Sequence, residues 1–233
     1  MSISDNIAAI RECIAGAARR AGRSSEEIAL MAVSKTQLPE RIHEAYEAGL
    51  RLFGENRVQE FAAKAPALID LVHAEWHLIG HLQTNKASRA AQLFGAVDSV
   101  DSVKLAEKLD AAARSLGKKL SVLIEINVGG EPAKSGVAPD SPELDELLLR
   151  VSQFDGLDFR GLMTIPPFTD DPERARPYFR KLRGLRDAIA ARAPALGMDV
   201  LSMGMSHDFE VAIEEGSTCV RVGTAIFGER SRP

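Results

Sequence analysis

The sequence predicts a single (β/α)8 TIM-type barrel with an additional N-terminal helix, and three observations carry that prediction. Eight short β-branched or apolar runs alternate with segments of helical periodicity along the chain. Gly49, Gly117 and Gly216 each follow a helical segment, where a residue without Cβ adopts the left-handed helix-ending conformation cheaply. The length of 233 residues suits one such barrel, and 45% apolar residues are enough to fill it.

The first element is a helix over 2–21, in which Ile3, Ile7, Ile10, Cys13, Ile14 and Ala17 recur at close to helical spacing and Ser4 or Asp5 can cap the first turn. The strands are expected at 28–34, 51–54, 75–80, 96–100, 120–128, 157–165, 199–203 and 218–223. Between them lie helical segments at 39–49, 56–65, 85–94, 102–116, 142–154, 173–193 and 209–215, each able to hide one apolar face. A right-handed succession of that count closes most simply as a barrel, with a doubly wound open sheet as the competing architecture. The longest loop-like stretch, 131–141, is too short to divide the chain, so residues 1–233 read as one domain.

Lys plus Arg total 29 against 33 Asp plus Glu, and a net charge of −4 offers nothing to attract nucleic acid or an anionic membrane. The amino terminus lacks a basic segment followed by an apolar run, and no stretch approaches the ~18 apolar residues of a membrane span. Cys13 and Cys219 are the only cysteines, which supports neither a disulfide framework nor a zinc site. A cytoplasmic protein is expected.

Barrel enzymes carry their reactive groups at the carboxyl ends of strands. Lys35 follows the run Leu30-Met-Ala-Val33; an amine held at an apolar mouth loses hydration, which lowers its pKa and frees its lone pair for an aldehyde. Alone, it reads more readily as a solvated lysine ending a strand. Ser206 precedes the helical segment His207-Asp-Phe-Glu-Val-Ala-Ile213, where it either caps that helix or turns its hydroxyl to an anion. The next strand ends in Gly223-Thr224, where a missing Cβ lets the backbone approach an anion and a hydroxyl can join it. Two adjacent anion cradles fit a phosphate, and an ordinary turn is an equal alternative by spacing alone. Arg221 alternates with Val220 and Val222, so its guanidinium faces the barrel interior and needs an acceptor, either Glu125 or the ring nitrogen of an aromatic ligand. His73, His77 and His81 recur every fourth residue, but across a strand they stand too far apart to share a metal ion. Glu55, Glu60 and Glu75 read as caps or ion pairs, and Lys86 and Lys134 as rim charges.

Six ordered motifs resemble those of the pyridoxal phosphate homeostasis proteins, relatives of the alanine racemase barrel domain. They are Ala32-Val-Ser-Lys-Thr36, Phe53-Gly-Glu-Asn-Arg-Val-Gln-Glu60, Trp76-His-Leu-Ile-Gly-His-Leu-Gln-Thr-Asn-Lys86, Gly161-Leu-Met163, Ser202-Met-Gly-Met-Ser-His-Asp208 and Val220-Arg-Val-Gly-Thr-Ala-Ile-Phe-Gly228. The resemblance implies that pyridoxal 5'-phosphate forms an imine with Lys35, that Ser206, Gly223 and Thr224 hold its phosphate, and that Arg221 faces its pyridine nitrogen. It implies further that Asn56 and Met163 line the ring, with Ile79, His77 and Ser202 near the pocket. The segment 127–136 also matches the family, with Gly129-Gly130 and Pro132-Ala133 as variation. Lys134 there is a candidate second amine for handing the cofactor on.

The function so implied is that of a carrier or buffer in pyridoxal phosphate homeostasis, with pyridoxal phosphate and the apo-enzymes that depend on it as expected partners, no metal, no catalytic residues and a monomeric state. Arg221 can only donate to the ring nitrogen, which weakens the electron sink that turnover exploits, although racemases of this fold tolerate arginine there. Racemases of the lineage take a second base, a tyrosine, from an additional β domain, whereas here the sequence ends soon after strand eight and Tyr46 and Tyr178 fall in helical segments. The alternatives are a racemase-like enzyme with an unfamiliar second base, an imine-forming aldolase acting on a phosphosugar, and an interaction-only barrel indifferent to Lys35.

Overall fold

A computed structural model describes residues 2–131, 134–194 and 196–228, so Pro132 and Ala133 lie outside the described residues. Helix α1 (Ile3–Arg20) begins two residues earlier than a Ser4 cap would place it, with Ser2 as its cap. The Ser2 hydroxyl accepts the Asp5 N–H at 3.1 Å while the Asp5 carboxylate accepts the Ser2 N–H at 2.9 Å, satisfying two otherwise orphaned donors reciprocally.

Eight parallel strands follow: β1 (Ala29–Val33), β2 (Leu52–Glu55), β3 (Glu75–Leu78), β4 (Ala96–Val100), β5 (Leu120–Glu125), β6 (Leu157–Met163), β7 (Val200–Met205) and β8 (Cys219–Val222). Each pairs with the next and β8 pairs with β1, so the sheet is a closed barrel and not a doubly wound open sheet. Outside it lie α2 (Pro39–Glu47), α3 (Val58–Lys64), α4 (Ala87–Leu93), α5 (Val103–Ser115), α6 (Pro142–Arg150), α7 (Arg176–Arg192), α8 (Phe209–Glu214) and α9 (Thr224–Phe227).

The period of two along each strand separates two apolar layers. Leu120, Val122 and Ile124 of β5 face outward into a core that includes Leu105 and Leu109 of α5 and Phe179 and Leu182 of α7. Each such side chain contributes about 1.5–3 kcal/mol by leaving water. Inside the barrel, Met31, Ile79 and Cys219 pack with Val33, Leu52 and Val200. Val220 and Val222 belong to the outer layer, which turns Arg221 inward.

Several boundaries differ from the sequence expectation, for identifiable reasons. Strand β5 stops at Glu125 because Ile126 leaves the ladder to form an isolated bridge with Val137. The segment from 142 ends its α-helix at Arg150 and finishes in a 3-10 turn, Val151–Gln153. Gly49, Gly117 and Gly216 end their helices with φ of 90°, 63° and 102°. A ninth helix of four residues cannot cover the seam beside β8, and α1 covers it. The Asn6 side chain donates to the Ile226 carbonyl at 2.9 Å, and Arg20 pairs with Glu210 and Glu214 of α8 at 2.8 and 2.6 Å.

Candidate functional site

Strand register brings the expected residues, His77 excepted, to one end of the barrel. Val33 lies opposite Gly54, and Ser34 N–H donates to the Gly54 carbonyl, which sets Lys35 beside Asn56. On the other side Ala32 lies opposite Val222, and a Cβ on Gly223 would stand 3.4 Å from that of Val33. Lys35, half-buried, therefore sits between Asn56 and Gly223. The residue after it, Thr36, has φ of 63°, a left-handed conformation that a β-branched residue rarely adopts.

Ser206 does not cap α8; Asp208 occupies that position and its carboxylate accepts the Met205 N–H at 2.6 Å. The Ser206 hydroxyl is instead turned to the end of β8, accepting the N–H groups of Gly223 and Ala225 at 3.3 and 3.4 Å. Both bonds are longer than the usual ~2.9 Å, so two backbone donors converge where a weakly held hydroxyl is the acceptor. Thr224, exposed, lies between them.

Arg221 is only 3% exposed, and among the described residues the partners of its guanidinium are neutral. Its Nη1 donates to Ser202 Oγ and its Nη2 to the Thr164 carbonyl, both at 2.7 Å. Glu125, one of its two anticipated acceptors, accepts the Ser135 hydroxyl at 2.9 Å and keeps its second oxygen buried without a partner. Burial pushes the Glu125 carboxyl up from its ordinary value. Burial likewise draws the Arg221 guanidinium down, yet arginine stays charged at any pH at which the chain folds. A charged fork with only neutral acceptors retains donors for a further partner.

Met163, fully buried, ends β6 opposite Glu125 of β5 and Ser202 of β7. Ile79 packs inside the barrel against Met31. The structure thus gathers Lys35, Asn56, Met163, Ser206, Gly223 and Thr224 around the carboxyl ends of the strands, with Arg221, Ser202 and Ile79 in the wall beneath. Beside them a cavity of about 490 Å3 is lined by His81, Glu125, Ile126, Lys134, Ser135 and Ile165. Lys134 pairs there with Glu131 and donates to the Pro166 carbonyl at 3.2 Å.

His77 lines a different cavity. Its Nδ1 lies 3.1 Å from Asp98, and with Glu75, Ala96, Ser121, Val200 and Cys219 it borders a space, also about 490 Å3, at the amino ends of the strands. Burial works to lower the His77 imidazole, but the Asp98 carboxylate outweighs it and holds the pKa above its ordinary value. Among the described residues, no group of three histidines, cysteines or carboxylates could hold a metal ion.

Sequence reasoning missed Thr164 and Lys64. Thr164 acts through its carbonyl, which no residue type announces. Lys64 did leave a signal, because Val58, Phe61, Lys64 and Leu68 recur at helical spacing and put a lysine in an apolar stripe.

The comparisons with known proteins show the family. Residues 6–231 match the family described as alanine racemase, N-terminal domain. The chain is 47% identical over 230 residues to the pyridoxal phosphate homeostasis protein of Aquifex aeolicus (strain VF5), covering 99% of each chain. The chain belongs to the pyridoxal phosphate homeostasis protein family. Its relative of that name in Escherichia coli (strain K12) is 43% identical over 230 residues, covering 98% of this family member and 97% of the relative. PipY of Synechococcus elongatus PCC7942, solved with PLP bound, superposes at a TM-score of 0.86 with 38% identity, covering 97% of this family member and all of PipY.

Proposed function

We propose that this protein holds pyridoxal 5'-phosphate on Lys35 and acts in intracellular pyridoxal phosphate homeostasis as a carrier or buffer without substantial turnover. The observation that carries this reading is the convergence of Lys35, the buried Arg221 fork and the Ser206–Gly223–Ala225 donors at one barrel end. The bound cofactor supplies an aldehyde that condenses with an amine, losing water, together with a phosphate and a pyridine ring.

Each part of that group has a match in chemical type. Lys35 provides the amine, and the Gly223 and Ala225 N–H groups, joined by the Ser206 and Thr224 hydroxyls, provide donors for an anion. Arg221 is held by Ser202 and Thr164 so that its remaining N–H groups serve a ring nitrogen as donors only. A ring nitrogen that accepts from arginine is not itself protonated, which favours holding over electron-sink chemistry. Asn56, Met163 and Ile79 complete the set assigned to the cofactor; His77, at the amino ends of the strands beside Asp98, is left out of it, and no residue is assigned to catalysis. Tyr46 lies under the Arg51 guanidinium, 3.9 Å from its ring centre, and Tyr178 packs into the outer layer on α7, so neither stands at the strand ends as an opposing base. The partners so implied are pyridoxal phosphate and the apo-enzymes that depend on it, met by a single-domain monomer in the cytoplasm.

The deciding experiment is the visible spectrum of the purified chain with and without pyridoxal phosphate, repeated on Lys35→Ala and followed by borohydride reduction and peptide mapping. A yellow species fixed by borohydride on Lys35 and absent from the variant is expected. A chain that stays colourless refutes the reading.

A further inference from the structure

The motif from Phe53 to Glu60 contributes Asn56 to the site, yet two of its carboxylates do something else. Glu55 is fully buried and Lys64 on α3 is 9% exposed, and they pair at 2.8 Å. Lys64 also pairs with Glu60 at 3.4 Å and donates to the Ser34 carbonyl at 2.9 Å. The Ser34 hydroxyl donates to Glu55 at 2.5 Å, and Glu60 accepts the Thr36 N–H at 2.5 Å. The residue before Lys35 and the residue after it are therefore both fastened to one cluster.

We propose that Glu60 and Lys64, with Glu55, are positioning residues that hold the Lys35 turn in the conformation that presents its amine to the cofactor; the proposal rests on the site reading above. A buried ion pair is weak support for stability, since apolar residues of equal volume commonly do as well, so its placement calls for another role. Thr36 supplies one. A non-glycine residue in the left-handed region is unfavourable and persists only where its surroundings impose it. Here the imposed contact is the bond from Thr36 N–H to Glu60, while Lys64 holds Glu60 from the other side. Without that anchor Thr36 relaxes toward an ordinary backbone conformation and swings the preceding residue off the line set by β1.

The test compares wild type, Glu60→Ala and Glu60→Gln as full chains. Glu60 sits on the half-exposed flank of α3, so its truncation spares the buried Glu55–Lys64 pair. Glu60→Ala is expected to raise the pyridoxal phosphate concentration for half-loading, read from the visible band, about tenfold, which is ~1.4 kcal/mol. Its thermal midpoint without cofactor stays within a few degrees of wild type, and its Thr36 amide exchanges faster with deuterated water. Glu60→Gln keeps an acceptor oxygen and restores most of the loading. Wild-type loading in Glu60→Ala overturns the proposal, as does a loss of loading that tracks a matching fall in thermal midpoint in both variants. A wild-type chain that never takes up the cofactor refutes the site reading itself, an outcome distinct from either.

Discussion

Replacing Arg221 with methionine separates what the guanidinium does for the fold from what it does for the ligand. The side chain is 3% exposed and makes two charge-assisted bonds, to Ser202 Oγ and the Thr164 carbonyl. Losing them costs about 1.5–3 kcal/mol each. Against this, the variant no longer buries a charge without a carboxylate partner, a penalty of several kcal/mol. The two terms nearly cancel, so the cofactor-free variant is expected to change in stability by no more than ~2 kcal/mol, or about 8 °C in melting temperature for a chain of this size. On the proposed reading, nothing compensates the lost donor at the ring nitrogen. Affinity for pyridoxal phosphate should fall by ~1.5–3 kcal/mol, roughly 10- to 150-fold. Thermal denaturation without cofactor and a spectrophotometric titration with it measure the two quantities on the same preparation. A variant that melts within that window and still loads at the wild-type midpoint refutes the assignment of Arg221 to the ring.

Three further outcomes are expected. Ser206→Ala removes the acceptor of two long bonds and should weaken loading of pyridoxal phosphate several-fold while leaving loading of unphosphorylated pyridoxal unchanged; equal losses for both ligands speak against a phosphate at Ser206. Gly161→Ala places a Cβ 1.9 Å from the Val200 carbonyl oxygen, so β6 and β7 must part, and a loss of ~3 kcal/mol or more is expected; an unchanged melting temperature contradicts it. The His77 imidazole is held above its ordinary 6.5, so the stabilisation from its pairing with Asp98 is complete below that pH and is lost as the pH rises through the raised value. The stability difference between wild type and His77→Gln should therefore shrink on going from about pH 5 to about pH 9, and a difference that grows with pH overturns the pairing.

The barrel was legible because its strands are short β-branched runs set between amphipathic segments, a pattern that local chemistry writes directly. Strand ends were less so. The seventh strand was expected to stop at 203, yet β7 continues through Gly204 to Met205. Gly204, a turn signal in sequence, serves there as a place for close packing, since a Cβ would meet that of Ala212 at 2.6 Å. Lys35, Ser206 and Gly223-Thr224 stood out because each lies at a strand end with a chemistry of its own. The partners of Arg221 did not, because one is a backbone carbonyl and the other, Ser202, was read as a pocket residue when its hydroxyl serves the guanidinium. The His77–Asp98 pair was hidden for a different reason: it joins neighbouring strands 21 positions apart in sequence.

Helix α1 rests on the last elements of the barrel, so a helix that precedes every strand has its docking surface among the last elements. Its bonds reach from Asn6 to Ile226 and from Arg20 to Glu214, separations of 220 and 194 residues. Contacts that distant form late, after most of the loop-closure entropy has been spent, and chains dominated by them fold slowly. During synthesis an 18-residue amphipathic helix must wait with most of its apolar face uncovered until α8 and α9 emerge. The same late segment carries Arg221 and Gly223, so on the proposed site a nascent chain lacks two of the groups that hold the cofactor. On that proposal, capture is confined to the finished barrel.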